Sequence, residues 1–248
     1  MPSGRIDKPA LLVIAIFFTF FSCANRPDAV VEDRNIPLII IDAGHGGKDE
    51  GAVASYKTAN GVITLREKDM TLKIAKALAA NLSEKLPQIE IVLTRSEDVF
   101  LPLEERVLKS NQAGGGISRV IFISIHLNYS PNKDASGFEA YYYLPALLDP
   151  DAYITVQYLR NIVRNNSSLA QSIINAVGGI PELKDLPRSM KNADYHVLRN
   201  ASGPSVLIEC GFLSNEREAL LLDNDSYNEK LVEGIALGII NYLNAGND

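Results

Sequence analysis

The chain has 248 residues, 46% of them apolar and 22% charged, with a formal net charge of −6. That is enough apolar material for one well-cored domain. The acidic balance, with no basic block, leaves nucleic acid off the list of expected partners.

The first 23 residues stand apart from the fold. Arg5 and Lys8 form a positive n-region ahead of an apolar run of 12 at residues 10–21. Such a run is too short to span a bilayer and right for a secretory signal. Phe21-Ser22-Cys23 then resembles a bacterial lipoprotein box, with Phe20 where such boxes usually carry leucine. Cys23 is therefore the expected lipidation site. The alternative is an exported protein that loses Cys23 with its signal. Residues 24–35 are polar, contain Pro27 and read as a linker, which leaves residues 36–248 for the domain. Cys210 is the only other cysteine, so a structural disulfide is not expected, and Cys210 reads as a buried thiol.

Residues 38–41 are apolar on both sides of the pleat, as in a strand at the middle of a sheet, although so short a run does not by itself exclude helix. The run breaks into Gly44-His45-Gly46-Gly47. Glycines there permit positive φ and close approach. An imidazole at such a strand end suits a metal or a substrate; a surface turn with an incidental histidine is the alternative. Asp49 after Gly47-Lys48, and the missing four-residue spacer, argue against a phosphate loop.

Asn60-Gly61 marks a turn, and Thr64-Leu-Arg-Glu67 matches a capping box with Thr64 as N-cap and Glu67 at N3. The helix it opens carries Met70, Ile74, Leu78, Leu82 and Leu86 in one stripe and ends at Pro87. Residues 89–94 form a second strand. Pro102 fits a first helical turn, with Leu103, Val107 and Leu108 continuing a short helix to Gly114-Gly-Gly116. Residues 120–126 are another buried strand ending in histidine, and 137–143 an aromatic-rich one. Residues 149–177 read as two helical pieces broken near Asn165-Asn166, and 178–192 as turns. Short strands follow at 195–198 and 205–210. Ser226-x-x-Glu229 caps a last helix with Leu231, Ile235, Ile239 and Leu243 on one face. Strands alternating with helices, without an internal repeat, predict a three-layer α/β domain.

His45, Glu67, His126 and Glu209 fall at the ends of these buried elements. Imidazole nitrogen and carboxylate oxygen suit a catalytic Zn²⁺, which commonly takes three protein ligands and leaves a fourth position open. Blander readings compete: Glu67 as a cap, His126 as a satisfied strand-end histidine. Glu209 resists one, because a carboxylate within Val206-Leu-Ile-Glu-Cys-Gly costs several kcal/mol unless paired. His196 reads as structural or superficial.

The spacing of these groups does not decide the matter; longer motifs do. They are Ile41-Asp-Ala-Gly-His-Gly-Gly-Lys-Asp-x-Gly, Glu67-Lys-Asp-x-x-Leu-x-Ile-Ala, and Thr94-Arg95 followed by Leu103-x-x-Arg106. Phe122-Ile-Ser-Ile-His-x-Asn, Ser136-Gly-Phe-Glu-x-Tyr-Tyr and Val206-Leu-Ile-Glu-Cys-Gly-Phe-Leu-Ser-Asn215 continue them. Over residues 37–243 the sequence thus resembles the zinc-dependent N-acetylmuramoyl-L-alanine amidases of the amidase-3 type. The resemblance implies one Zn²⁺ per chain on His45, Glu67 and His126, with Glu209 as the catalytic carboxylate. It implies a mixed twisted sheet of about six strands with helices on both faces. The implied substrate is peptidoglycan, cut at the amide between N-acetylmuramic acid and L-alanine of the stem peptide, in wall remodelling or daughter-cell separation. Residues 36–248 would be the catalytic domain.

Arg188-Ser-Met-Lys191 departs from the family's frequent Arg-Gly-x-Lys, which bears on the local loop and not on the metal site. Residues 144–167 form either a lid, as the autoinhibitory helix of some relatives does, or a surface loop. Expected partners are peptidoglycan, an activator protein and a membrane reached through lipid at Cys23. The expected location is the periplasm or cell envelope. A zinc peptidase acting on stem-peptide bonds and a catalytically silent wall-binding protein are the rival readings.

Overall fold

The computed structural model describes residues 38–59, 61–114, 120–144 and 153–245. The signal segment, Cys23, the linker, Asn60, Gly115, Gly116 and residues 145–152 of the insert lie outside the described residues.

Strand β1 (Leu38–Ala43) is buried along its whole length, as its apolar run predicts. It sits between two parallel neighbours, β4 (Glu90–Leu93) and β5 (Val120–Asn128). Beyond β5 come β8 (Ser205–Phe212), parallel to it, then β6 (Phe138–Tyr142), antiparallel to β8, and β7 (Arg188–Asn192) at the edge. The sheet is therefore mixed, with the order β4-β1-β5-β8-β6-β7. Strands β2 (Val53–Thr58) and β3 (Gly61–Arg66) form a separate hairpin between β1 and helix α1 (Glu67–Lys85).

Helices cover the two faces unequally. On one face α1, α3 (Tyr153–Gly179) and α6 (Asp225–Ala245) pack on alternate strand residues such as Ile39, Ile41, Ile123, Ile125, Val206 and Ile208. The expected stripe Met70, Ile74, Leu78 and Leu82 is buried there, as are Leu231, Ile235, Ile239 and Leu243. Among the described residues, the helices on the other face, with Leu38, Ile40, Phe122 and Leu207, are α2 (Leu103–Gly114) and the single turn α4 (His196–Arg199). Strand alternation assigns His126 and Glu209 to this thin face, since each is an even number of residues from Phe122 or Leu207. From β1 the chain crosses over to β4 on one side, and from β4 to β5 on the other. The crevice at their carboxyl ends is thus the switch point at which open α/β sheets bind ligands.

Several local expectations give way to tertiary packing. The capping box fails: Thr64 lies in β3, and α1 begins at Glu67 itself after the extended Arg66. Helix α3 is continuous through Asn165-Asn166. Asn166 is buried, its Oδ1 accepting from the Ser205 amide at 2.9 Å and its Nδ2 donating to the Tyr143 carbonyl at 3.4 Å. Those bonds outweigh its weak helix preference. Residues 178–192 contain the edge strand β7, whose Arg-Ser-Met-Lys-Asn carries no apolar alternation to announce it. Residues 195–198 form helix α4 rather than a strand. The cap of α6 is Asn224, which accepts from the Tyr227 amide, and Ser226 lies inside the helix. Leu103 and Leu108 of α2 are exposed, and Val107 alone of the three reaches the core. Residues 216–223, to which the sequence reading assigns no element, form helix α5 (Glu216–Asp223), capped by Asn215.

Candidate metal centre

Four chain segments meet at the carboxyl end of β1 and β5. The loop after β1 carries His45, the first residue of α1 is Glu67, and His126 and Glu209 are in register near the ends of β5 and β8. The hairpin delivers the chain to α1, and Tyr56 pins it by donating to the Leu213 carbonyl at 2.6 Å. Its far end leaves Glu67 with its amide on the Ala52 carbonyl, facing the two histidines.

The structure brings His45, Glu67 and His126 together, with one ligand atom from each lying within 4.8 Å of the others. Glu67 Oε1 is 3.0 Å from both His45 Nε2 and His126 Nδ1. It also accepts from the Leu127 amide at 3.1 Å, while Oε2 accepts from the Ala52 amide at 2.8 Å. The imidazoles stand edge to face, 5.0 Å apart. His45 is oriented from behind by Asp49, whose Oδ2 is 2.9 Å from Nδ1. A carboxylate on the far ring nitrogen is the arrangement that orients metal-bound histidines. Two glycines make room. A Cβ at Gly44 would lie 2.3 Å from His126 Cε1, and one at Gly51, where φ is +64°, would lie 2.5 Å from Glu67 Oε2.

Burial opposes ionisation of the Glu67 carboxyl, but the hydrogen bonds and charges of His126 and His45 prevail and hold it far below the usual carboxylate range. Burial likewise opposes the charged form of His45, and the Glu67 and Asp49 carboxylates outweigh it, so its pKa is raised. Glu209 is the opposite case. Desolvation, with Glu67 and Glu139 nearby, pushes it up to about 7 against the pull of the histidines. Its Oε2 is buried and without a hydrogen-bond partner.

A cavity of about 840 Å³ opens onto these groups. His45, Glu67, His126, Glu209 and Arg106 are among its polar lining, with Phe100, Leu103, Leu127, Tyr129 and Tyr195 around them. His196, expected to be structural or superficial, lines it too.

Sequence reasoning gave no role to Glu139, Asp49, Arg95 or Arg106. Glu139 faces Glu209 across the β6–β8 pairing and is buried. It accepts from Asn128 at 3.0 Å, from the Tyr141 hydroxyl at 2.7 Å and from the Lys191 ammonium. The departure at 188–191 thus keeps Lys191 next to the site, while Arg188 ties down the carbonyls of Leu183 and Leu186. The signal that singled out Glu209, a charge inside an apolar strand, was equally present in Phe138-Glu-Ala-Tyr-Tyr.

Two imidazoles, a carboxylate and an orphaned buried carboxyl oxygen form a donor set suited to a divalent cation with an open position. Fold and cluster together define an α/β domain built around a candidate His–Glu–His metal centre. The chain belongs to the N-acetylmuramoyl-L-alanine amidase family, whose model matches residues 39–241. It is 37% identical over 207 residues to an endolysin of Bacillus phage SPP1, covering 84% of this chain and 66% of the endolysin. It spans 56% of the length of a second curated relative. Among solved structures, the N-acetylmuramoyl-L-alanine amidase of Clostridium difficile 630 superposes with a TM-score of 0.66 at 32% identity, covering 85% of this chain and 98% of that one. The CwlD amidase of Clostridioides difficile, solved in complex with the GerS lipoprotein, has a TM-score of 0.64 at 27% identity, covering 84% and 98%.

Proposed function

We propose that this chain hydrolyses peptidoglycan at the amide joining N-acetylmuramic acid to L-alanine, with Zn²⁺ held by His45, Glu67 and His126. The observation that carries the reading is the buried, unpartnered Oε2 of Glu209 beside a three-residue donor set. Zinc held by these residues would polarise the scissile carbonyl and lower the pKa of a water molecule. Glu209 accepts the proton of the attacking water and delivers it to the departing amide nitrogen. Asp49 fixes the His45 ring, and the Glu139 network fixes the strand opposite Glu209. Mass spectrometry of digested muropeptides tests the assignment. Release of intact stem peptides with a free L-alanine amine is expected; cleavage within the stem would replace the amidase with a peptidase.

The proposal extends to the envelope. Residues 1–23 direct export, and Cys23 carries the lipid that tethers the enzyme to a membrane; no helix among the described residues is long and apolar enough to cross one. Metabolic labelling with a fatty-acid analogue should mark the wild type and not Cys23→Ala. An activator protein is a further proposed partner, supported by the solved complex of CwlD with GerS.

A further inference from the structure

We propose that Arg106, seconded by Arg95, is a positioning residue for the metal centre: the two guanidiniums lock the backbone of residues 43–45 and so hold His45 in a ligand-ready conformation. The inference rests on the reading of His45 as a metal ligand.

His45 has φ +58°, the only non-glycine among the described residues with positive φ. An L residue keeps that conformation where its surroundings over-determine it. Here they do so through carbonyls. Arg106 reaches over from α2 and is only 3% exposed. Its Nη2 donates to the His45 carbonyl at 2.6 Å, and its Nη1 to the Ala43 carbonyl at 2.6 Å and to Asp42 Oδ1 at 2.8 Å. Its Nε is held on the Leu101 carbonyl at 3.0 Å. Arg95 adds bonds to the Ala43 carbonyl at 2.9 Å and the Gly44 carbonyl at 2.8 Å. Asp42, the counter-charge, is itself fixed by Thr94 at 2.6 Å and Ser124 at 2.9 Å.

Three successive carbonyls are thus gripped by two rigid forks. Two buried cations behind a cation site are electrostatically costly, and apolar side chains would fill the same space more cheaply. A planar fork does what they cannot, since it fixes several oxygens at once, and the single ammonium of lysine cannot span the same set.

The test is zinc affinity, measured by competition with a chromophoric chelator. Arg106→Lys should weaken zinc binding by roughly 10–100-fold, the usual effect of disturbing the groups that orient a ligand. It should also change the visible absorption of the Co²⁺-loaded protein. Arg95→Lys leaves the Arg106–Asp42 pair in place and serves as the second variant should the first not fold. Ile239→Val, buried in α6 and remote from the loop, controls for simple destabilisation and should bind zinc as the wild type does. Unchanged affinity in a folded Arg106→Lys protein overturns the inference alone. An equal loss in Ile239→Val also overturns it, and a wild type that binds no zinc removes the metal reading together with the inference.

Discussion

At the scale of single residues, substitution of Glu209 tests the proposed separation of catalysis from metal binding. Its carboxyl lies outside the His45–Glu67–His126 set, so Glu209→Gln should keep both fold and zinc. Turnover should fall by roughly 10²–10⁴, the span of a lost general base. An active Glu209→Gln would place the base elsewhere. The same substitution has a pH signature in the metal-free protein. A carboxyl raised from its ordinary value to about 7 stabilises the fold fully below the unfolded pKa, and that contribution is lost as pH rises through about 7. Glu209→Gln should therefore be more stable than the wild type at pH 8, by on the order of 3 kcal/mol, and about as stable at pH 4. Equal melting curves at both would deny the shift. Gly44 supplies the complementary test of space. Gly44→Ala drives a methyl into the His126 ring, so zinc affinity should drop even where the protein remains folded, as equilibrium dialysis would show.

At the scale of elements, local propensity and tertiary bonding compete, and Asn166 measures the outcome. It lies within a continuous α3 because its side chain serves the Ser205 amide and the Tyr143 carbonyl. Asn166→Ala improves the helix intrinsically yet strands a buried amide at the start of β8. A net loss of roughly 1–3 kcal/mol in urea unfolding is expected. A stabilised variant would mean that the helix continues for local reasons alone. Glu67 belongs to the same scale. The Thr64-to-Glu67 pattern is a cap by sequence, but in the hairpin Thr64 is bonded across to Ser55, and Glu67 is freed for the cavity.

At the scale of the whole molecule, a metal bound at the proposed centre would act as a staple between elements far apart in the chain. The three donors come from the loop after β1, the start of α1 and the end of β5, so a bound cation ties the hairpin and α1 to the sheet. Zinc at a hundred times its dissociation constant would add about 2.7 kcal/mol to stability. Chelation should therefore lower the melting temperature by several degrees, with recovery on adding Zn²⁺. A melting temperature indifferent to chelator would argue that the cluster holds no metal.

The buried parallel strands and the amphipathic helices were legible in the sequence, because β1, β5 and β8 are predominantly apolar runs and α1 and α6 carry stripes at helical spacing. His45, Glu67, His126 and Glu209 stood out as polar groups at the ends of buried elements, but their proposed roles came from the longer motifs, and only the fold shows that His45, Glu67 and His126 gather at one point. The hairpin, the edge strand β7, the continuity of α3 and the turn α4 were decided only by tertiary structure. They hold little apolar pattern of their own and depend on hydrogen bonds from distant residues, such as Tyr56 to Leu213 and Asn166 to Ser205. Asp49, Glu139, Arg95 and Arg106 stand within the quoted motifs, but what each of them does was decided by tertiary structure. Their importance lies in what they touch, and no one-dimensional spacing records that Arg106 grips the carbonyl of a residue 61 positions earlier.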